Sequence, residues 1–213
     1  MSFHTLDLQI EDKICTLFLN RPEVFNAMNK LFWKEIISAF NIINNSDSRV
    51  TIIKGNGKHF TSGIDLKDFS DLLIKSEEDI GRRGNFLKNK IIQMQNSFQA
   101  IDQAKMPVIS SIHGACIGGG LDLISACDMR YASADAFFSI HEINLGMIAD
   151  VGTLQRLPKL IPDGIMREYA FSGKKFTAQE AYDKGLINCV LKSRDELDEY
   201  VLEIAKNIRK HSP

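Results

Sequence analysis

Two short apolar runs, Val50–Ile53 and Val108–Ile112, each lead into a glycine-rich turn, and helical periodicity fills the chain around them. No other feature constrains the fold as strongly. Runs this short read as strands buried on both faces, and such strands belong to parallel sheets covered by helices. Upstream, Leu6, Leu8 and Ile10 alternate with Asp7 and Gln9, as in a half-buried strand. A second strand over Ile14–Leu19 stops at Asn20-Arg21-Pro22, where proline blocks continuation. Phe32, Ile36, Ala39, Phe40 and Ile43 recur at helical spacing and predict an amphipathic helix over 29–44. A long polar helix over 66–104 carries Phe86, Leu87, Ile91, Met94 and Phe98 on one side and ends before Pro107. Further helices are expected over 120–127, 151–159 and 177–184. A last one opens near Asp195, with Leu197, Val201, Ile204 and Ile208 as its stripe. Strands separated by helices along the whole length predict an α/β fold of repeated β-β-α units. Residues 1–194 form the expected core and 195–213 a C-terminal helix.

Bulk properties exclude several classes. The 213 residues fit one domain, with 44% hydrophobic and 25% charged residues, the usual globular balance. A net charge of -1 gives no support to nucleic-acid binding. Cys15, Cys116, Cys127 and Cys189 are widely spaced and lack metal-type pairing, so they read as buried free thiols of a reducing compartment. No apolar run approaches the roughly 20 residues of a membrane span. The first residues resemble neither a signal nor a transit peptide, and the final His211-Ser212-Pro213 is not a peroxisomal address. The expectation is a soluble intracellular protein with its compartment unmarked.

The glycines carry the first hint of chemistry. Gly55-Asn56-Gly57 runs on to Gly63, and Gly114 is followed by Gly118-Gly119-Gly120 at a helix start. Such turns leave backbone N–H groups free to face an anion or a developing oxyanion. Neither matches a dinucleotide or P-loop pattern. Taken singly, each is equally a tight turn without chemistry. Acids stand beside them: Asp122 in the first helical turn after the glycines, Glu142 after the Phe137-Phe138 strand, and Asp150 before Val151-Gly152. Asp122 and Asp150 also suit helix caps. Asp128 and Arg130 read as a structural pair or cap, and His113, between Ile112 and Gly114, as a structural histidine.

The segment Ile109 to Asp128 resembles the signature of the crotonase (enoyl-CoA hydratase/isomerase) superfamily. Phe60–Asp65 is similar to its other oxyanion loop, and Leu19–Ala27 to its N-terminal coenzyme A loop. The resemblance covers residues 3–190. It is closest to the dienoyl-CoA isomerase branch, on the strength of all three acids and the run Ala149–Lys159. The resemblance implies a crotonase-like fold, with the N–H groups of Ile64 and Gly119 as the oxyanion hole for a thioester. Substrate and coenzyme A contacts would come from Arg21, Val24, Phe25, Ala27, Ser62, Gly63, Ile64, Asp65, Leu66, Gly119 and Gly120. Glu142 would take a proton from C2 of a 3,5-dienoyl-CoA, Asp150 would deliver one to C6, and Asp122 would hold or tune its neighbour. No cofactor is implied, coenzyme A being part of the substrate. Trimers or hexamers and a mitochondrial or peroxisomal setting are implied as well.

Two other functions stay open. Asp122 and Glu142 together suit hydration of a 2-enoyl-CoA, against which Asp150 argues. Family members usually continue past Ser212-Pro213 with helices that help cover the site, so the stripe of the last helix is expected to lack its usual partner. On that ground a catalytically silent, crotonase-like binding subunit is the second alternative.

Overall fold

The computed structural model describes residues 3–68 and 79–211. Strands β1 (Leu6–Glu11) and β2 (Ile14–Leu19) form a hairpin whose two loop residues, Asp12 and Lys13, both have positive φ, at 49° and 63°. That conformation matches the twist of a two-residue hairpin. Parallel pairing then adds β3 (Val50–Gly55), β4 (Val108–Ile112), β6 (Met129–Ser133) and β9 (Cys189–Leu191), in the order β1-β2-β3-β4-β6-β9. A second sheet, in the order β5-β7-β8, joins β5 (Ala115–Ile117) and β7 (Phe137–Ser139) in parallel and adds β8 (Phe176–Thr177) antiparallel.

Alternation along the strands splits the core into two faces. Helices α1 (Phe32–Asn44), α2 (Ile80–Asp102) and α3 (Gly119–Ser125) share one cluster with Leu17, Leu19, Ile53, Val108 and Ile112. On the other face Ile14, Val50, Ile52, Ile109 and Tyr131 pack against Leu197, Val201 and Ala205 of α7 (Arg194–Ile208). The last helix therefore has a partner for its stripe, contrary to expectation, because it covers the second face of the sheet. Its end is fixed as well: Arg209 Nη1 donates to the Asp12 carbonyl at 3.0 Å in the β1–β2 turn.

Several elements differ from the sequence-based expectation. Of the helix expected over 66–104, residues 69–78 lie outside the described residues, and Ile80–Asp102 is helical. The expected 29–44 helix starts at Phe32, where Asn29 Oδ1 accepts the Phe32 N–H. The stretch 151–159 divides into α4 (Thr153–Arg156) and a 3₁₀ turn. The expected 177–184 helix is α6 (Ala178–Asp183), opened by a Thr177–Glu180 capping box. Helix α5 (Asp163–Ser172) was not anticipated, since only Met166 and Tyr169 are buried along it and the stripe is too thin to read. Strand β6 was hidden by Arg130, a charge inside a buried strand. The guanidinium is satisfied by the carbonyls of Leu186, Ile124 and Cys127. Strands β5, β8 and β9 are too short for periodicity to show. Cys15, Cys116 and Cys127 are buried free thiols, while Cys189 is partly exposed.

Candidate active site

Asn26 locks the N-terminal loop against the turn that follows β3. Its Nδ2 donates to the carbonyls of Asn56, His59 and Phe60 at 2.8, 2.9 and 3.1 Å, and its Oδ1 accepts the Arg21 N–H. The same turn is stitched to β5 by Thr61 N–H to the Ala115 carbonyl and Ile117 N–H to the Thr61 carbonyl. Met28 pairs alongside Ile64, using the Gly63 carbonyl and the Asp65 N–H, so the Ile64 N–H points to the opposite side. Gly119 opens α3 and has no carbonyl one turn earlier to receive its N–H.

These two N–H groups meet across a close backbone approach. Gly63 has φ +88°, and a Cβ there would lie 2.6 Å from the Ile117 carbonyl oxygen and 3.3 Å from Gly119 N. Glycine is required on both counts. Both Ile64 and Gly119 line a cavity of about 110 Å³, shared with Ser62, Gly118, His141 and Glu142. The cavity has an acid over its floor, because a Cβ on Gly118 would stand 3.1 Å from Glu142 Oε1.

The three acids form one electrostatic group, though only Glu142 lines that cavity. Glu142 is 7% exposed, and its Oε2 has no hydrogen-bond partner among the described residues. Burial, reinforced by the Asp122 and Asp150 charges, pushes its carboxyl from 4.5 up to about 7. Asp122 is fully buried and closed off from the cavity. Its Oδ1 accepts the Thr153 N–H at 2.6 Å. Burial, with the Asp150 charge adding, takes it from 3.8 up to about 6. Asp150 is half-buried and also raised, by burial. Its carbonyl accepts Gln95 Nε2 of α2 at 2.6 Å, which ties the Asp150 turn to that helix. Thr153 and Gln95 were not singled out from sequence. Nothing local marks them, since Gln95 donates its side-chain amide, and Thr153 its backbone N–H, to a partner distant in the chain.

The expected coenzyme A contacts divide. Val24 and Phe25 are exposed apolar side chains of the N-terminal loop, at 36% and 50% exposure, while Leu66, 49% exposed, and the part-exposed Ser62 line the Glu142 cavity. Arg21 and Asp65 face each other: Arg21 Nη1 donates to Asp65 Oδ2 at 3.0 Å and to the Ala27 carbonyl at 2.6 Å, shaping the loop. Gly120 is buried, and a Cβ there would lie 2.7 Å from Thr61 Cγ2 and 3.1 Å from Cys116 Sγ. It lets this helix start pack tightly against Thr61 and Cys116. Asp128 caps β4 by accepting the Val108 N–H at 2.7 Å, and His113 Nε2 bonds the Gly57 carbonyl at 3.0 Å. Both are structural.

A family model described as enoyl-CoA hydratase/isomerase matches residues 9–213. Over 198 residues the chain is 46% identical to the mitochondrial delta(3,5)-delta(2,4)-dienoyl-CoA isomerase of Mus musculus, covering 92% of this chain and 61% of that protein. It is 44% identical to the peroxisomal delta(3,5)-delta(2,4)-dienoyl-CoA isomerase of Arabidopsis thaliana, covering all of this chain and 78% of that protein. Among solved structures, an enoyl-CoA hydratase from Bacillus anthracis superposes with a TM-score of 0.87 at 28% identity, over 99% of this chain and 78% of that one. The chain thus spans about three fifths of the length of the mouse relative.

Proposed function

The chain belongs to the enoyl-CoA hydratase/isomerase family, and from that premise we propose that it isomerises 3,5-dienoyl-CoA to 2,4-dienoyl-CoA. The observation that carries this reading is the third acid. The charge of Asp150 helps to raise the carboxyls of both Asp122 and Glu142, and Asp150 is itself half-buried. A proton relocated from C2 to C6 needs a base and an acid at separate points along the acyl chain. Hydration of a 2-enoyl-CoA needs only the pair Asp122 and Glu142.

In this scheme the thioester oxygen lies between the N–H groups of Ile64 and Gly119. Glu142 takes a proton from C2, the electron pair spreads through the diene to the thioester oxygen, and the hole stabilises that charge. In acyl-transfer enzymes one such donor is worth roughly 2.7–4 kcal/mol. Asp150 donates a proton at C6 and the diene becomes conjugated with the carbonyl. Turnover leaves the proton on Glu142 and the charge on Asp150, so a proton crosses the cluster before the next cycle. Carboxyls whose burial and mutual repulsion raise their proton affinity keep such a proton within the group near neutral pH. Asp122, sealed beneath and fixed by Thr153, acts through its charge on Glu142 and does not touch substrate.

The relatives named dienoyl-CoA isomerases at 44–46% identity favour this over hydration. Their mitochondrial and peroxisomal names favour a compartment that oxidises fatty acids. Among the described residues, no helix is long and apolar enough to cross a membrane. The test is incubation of the chain with a 3,5-dienoyl-CoA and, separately, a 2-enoyl-CoA. The near-UV band of the conjugated dienoyl product is expected from the first. Hydration of the second without that band would favour the hydratase. Neither reaction, from a folded chain that still associates with a longer relative, would favour the silent subunit.

A further inference from the structure

Resting on the isomerase reading, we propose that Gln95 of α2 is a positioning residue for the turn that delivers the proton, setting where Asp150 meets the acyl chain. The turn runs from Gly146 to Gly152, both with positive φ, at 68° and 135°. Glycines in that region absorb a change of direction at little cost, so the segment between them can pivot. Its two ends are held. Met147 N–H donates to the Glu142 carbonyl at 3.0 Å, and just past the turn Thr153 N–H donates to Asp122 Oδ1 at 2.6 Å. Over 148–151, the one hydrogen bond to another element among the described residues is that of Gln95 Nε2 to the Asp150 carbonyl, at 2.6 Å.

Packing does not replace that bond. Ala149 and Val151 are buried in the main core cluster, at 5% and 2% exposure. Towards α2, however, Gln95, Val151 and Gly152 line an open cavity of about 670 Å³, together with Gln99, Gln155 and Arg156. Open space on that side leaves the amide as the link that sets the height of the turn against the helix. The mount itself is firm, since α2 buries Met94 and Phe98 here and Ser97 Oγ donates to the Trp33 carbonyl of α1 at 2.8 Å. Glu142 has a separate anchor. It opens the 3₁₀ turn Glu142–Leu145, where Asn144 Nδ2 donates to the Gly173 carbonyl at the end of α5, at 3.1 Å. Loss of the Gln95 amide therefore moves the donor at C6 and leaves the base at C2 in place.

The test compares the full wild-type chain with Gln95→Met, which keeps the length of the side chain and loses the donor. Gln99→Met, one helical turn along, is the control. Since about 1 Å of misplacement at a reacting group is worth roughly 10²-fold in rate, Gln95→Met should lower kcat for a 3,5-dienoyl-CoA by about that factor. KM and the denaturation midpoint should barely change, and Gln99→Met should leave all three as they are. Because Gln95 acts through Asp150, adding Gln95→Met to Asp150→Asn should cost nothing further. Without any turnover, NMR relaxation should show the backbone order parameter over 148–151 falling from about 0.85 towards about 0.6 in Gln95→Met. Unchanged kcat, a loss carried in KM, an equal loss in Gln99→Met, or a further loss on top of Asp150→Asn would overturn the proposal. So would unchanged backbone order. A wild type without isomerase activity would remove the proposed reaction, and the order parameters would then decide by themselves whether Gln95 holds the turn.

Discussion

Asp122→Asn should gain stability relative to the wild type as pH rises. The wild-type carboxyl titrates at 3.8 in the unfolded chain and at about 6 in the folded one, chiefly because it is buried. Its folded-state value is raised, so the protonated form is the one the fold favours. Stability attached to this group is fully present below pH 3.8 and is lost as pH rises through about 6. At about 1.4 kcal/mol per tenfold, ionising Asp122 costs about 1 kcal/mol at pH 4.5 and about 3 kcal/mol at pH 8. Asparagine has no such cost and keeps an acceptor for the Thr153 N–H. Its own fixed penalty, from placing an amide beside the unpartnered Oδ2 site, is the same at every pH and drops out of the difference. Urea unfolding of both proteins from pH 4.5 to 8 should therefore show the gap moving by about 2 kcal/mol in the variant's favour. For a chain this size that is about 4–8 °C in Tm. A gap that stays constant with pH, or closes as pH rises, would refute the claim that Asp122 is an unfavourably ionised group.

The same variant should lower the pH at which Glu142 deprotonates, because one source of repulsion is gone; the acidic limb of the rate profile would shift down from about pH 7. Gly120→Ala should destabilise by about 1–3 kcal/mol through overpacking against Thr61 and Cys116, seen as a lower denaturation midpoint. Leu197→Ala should cost about 2–5 kcal/mol, since the side chain is fully buried between α7 and the sheet; an unchanged midpoint would mean that the helix is not part of the cooperative unit. Glu142→Gln should abolish isomerisation while leaving acyl-CoA binding intact, as measured by calorimetry.

Much of the site could be read from the chain because its parts are local. A glycine turn after a buried strand, opening a helix, is a continuous segment, so the turns at Gly63 and Gly118 could be seen as turns, while the roles expected of Ile64 and Gly119 came from the family resemblance. The acids stood out by residue type in apolar surroundings. What could not be read was how distant segments meet. The bond from Thr153 to Asp122 spans 31 positions and that from Gln95 to Asp150 spans 55. Each joins a side chain to a backbone group far away in the chain, and no local pattern marks such a partner. Arg21 and Asp65, 44 positions apart, pair with each other, a contact that no local pattern marks. In the fold, long strands and two-sided helices showed their period, whereas β6 was masked by Arg130 and α5 by its exposed surface.

The most direct test of the central claim compares isomerisation of a 3,5-dienoyl-CoA by the wild-type chain and by Asp150→Asn, with folding checked by denaturation midpoint. A two-carboxylate proton transfer predicts a loss of about 10²–10⁴-fold in kcat for the variant, the usual worth of a positioned acid or base. Full activity in Asp150→Asn would contradict the assignment of the third acid, and with it the reason for preferring an isomerase to a hydratase on this scaffold.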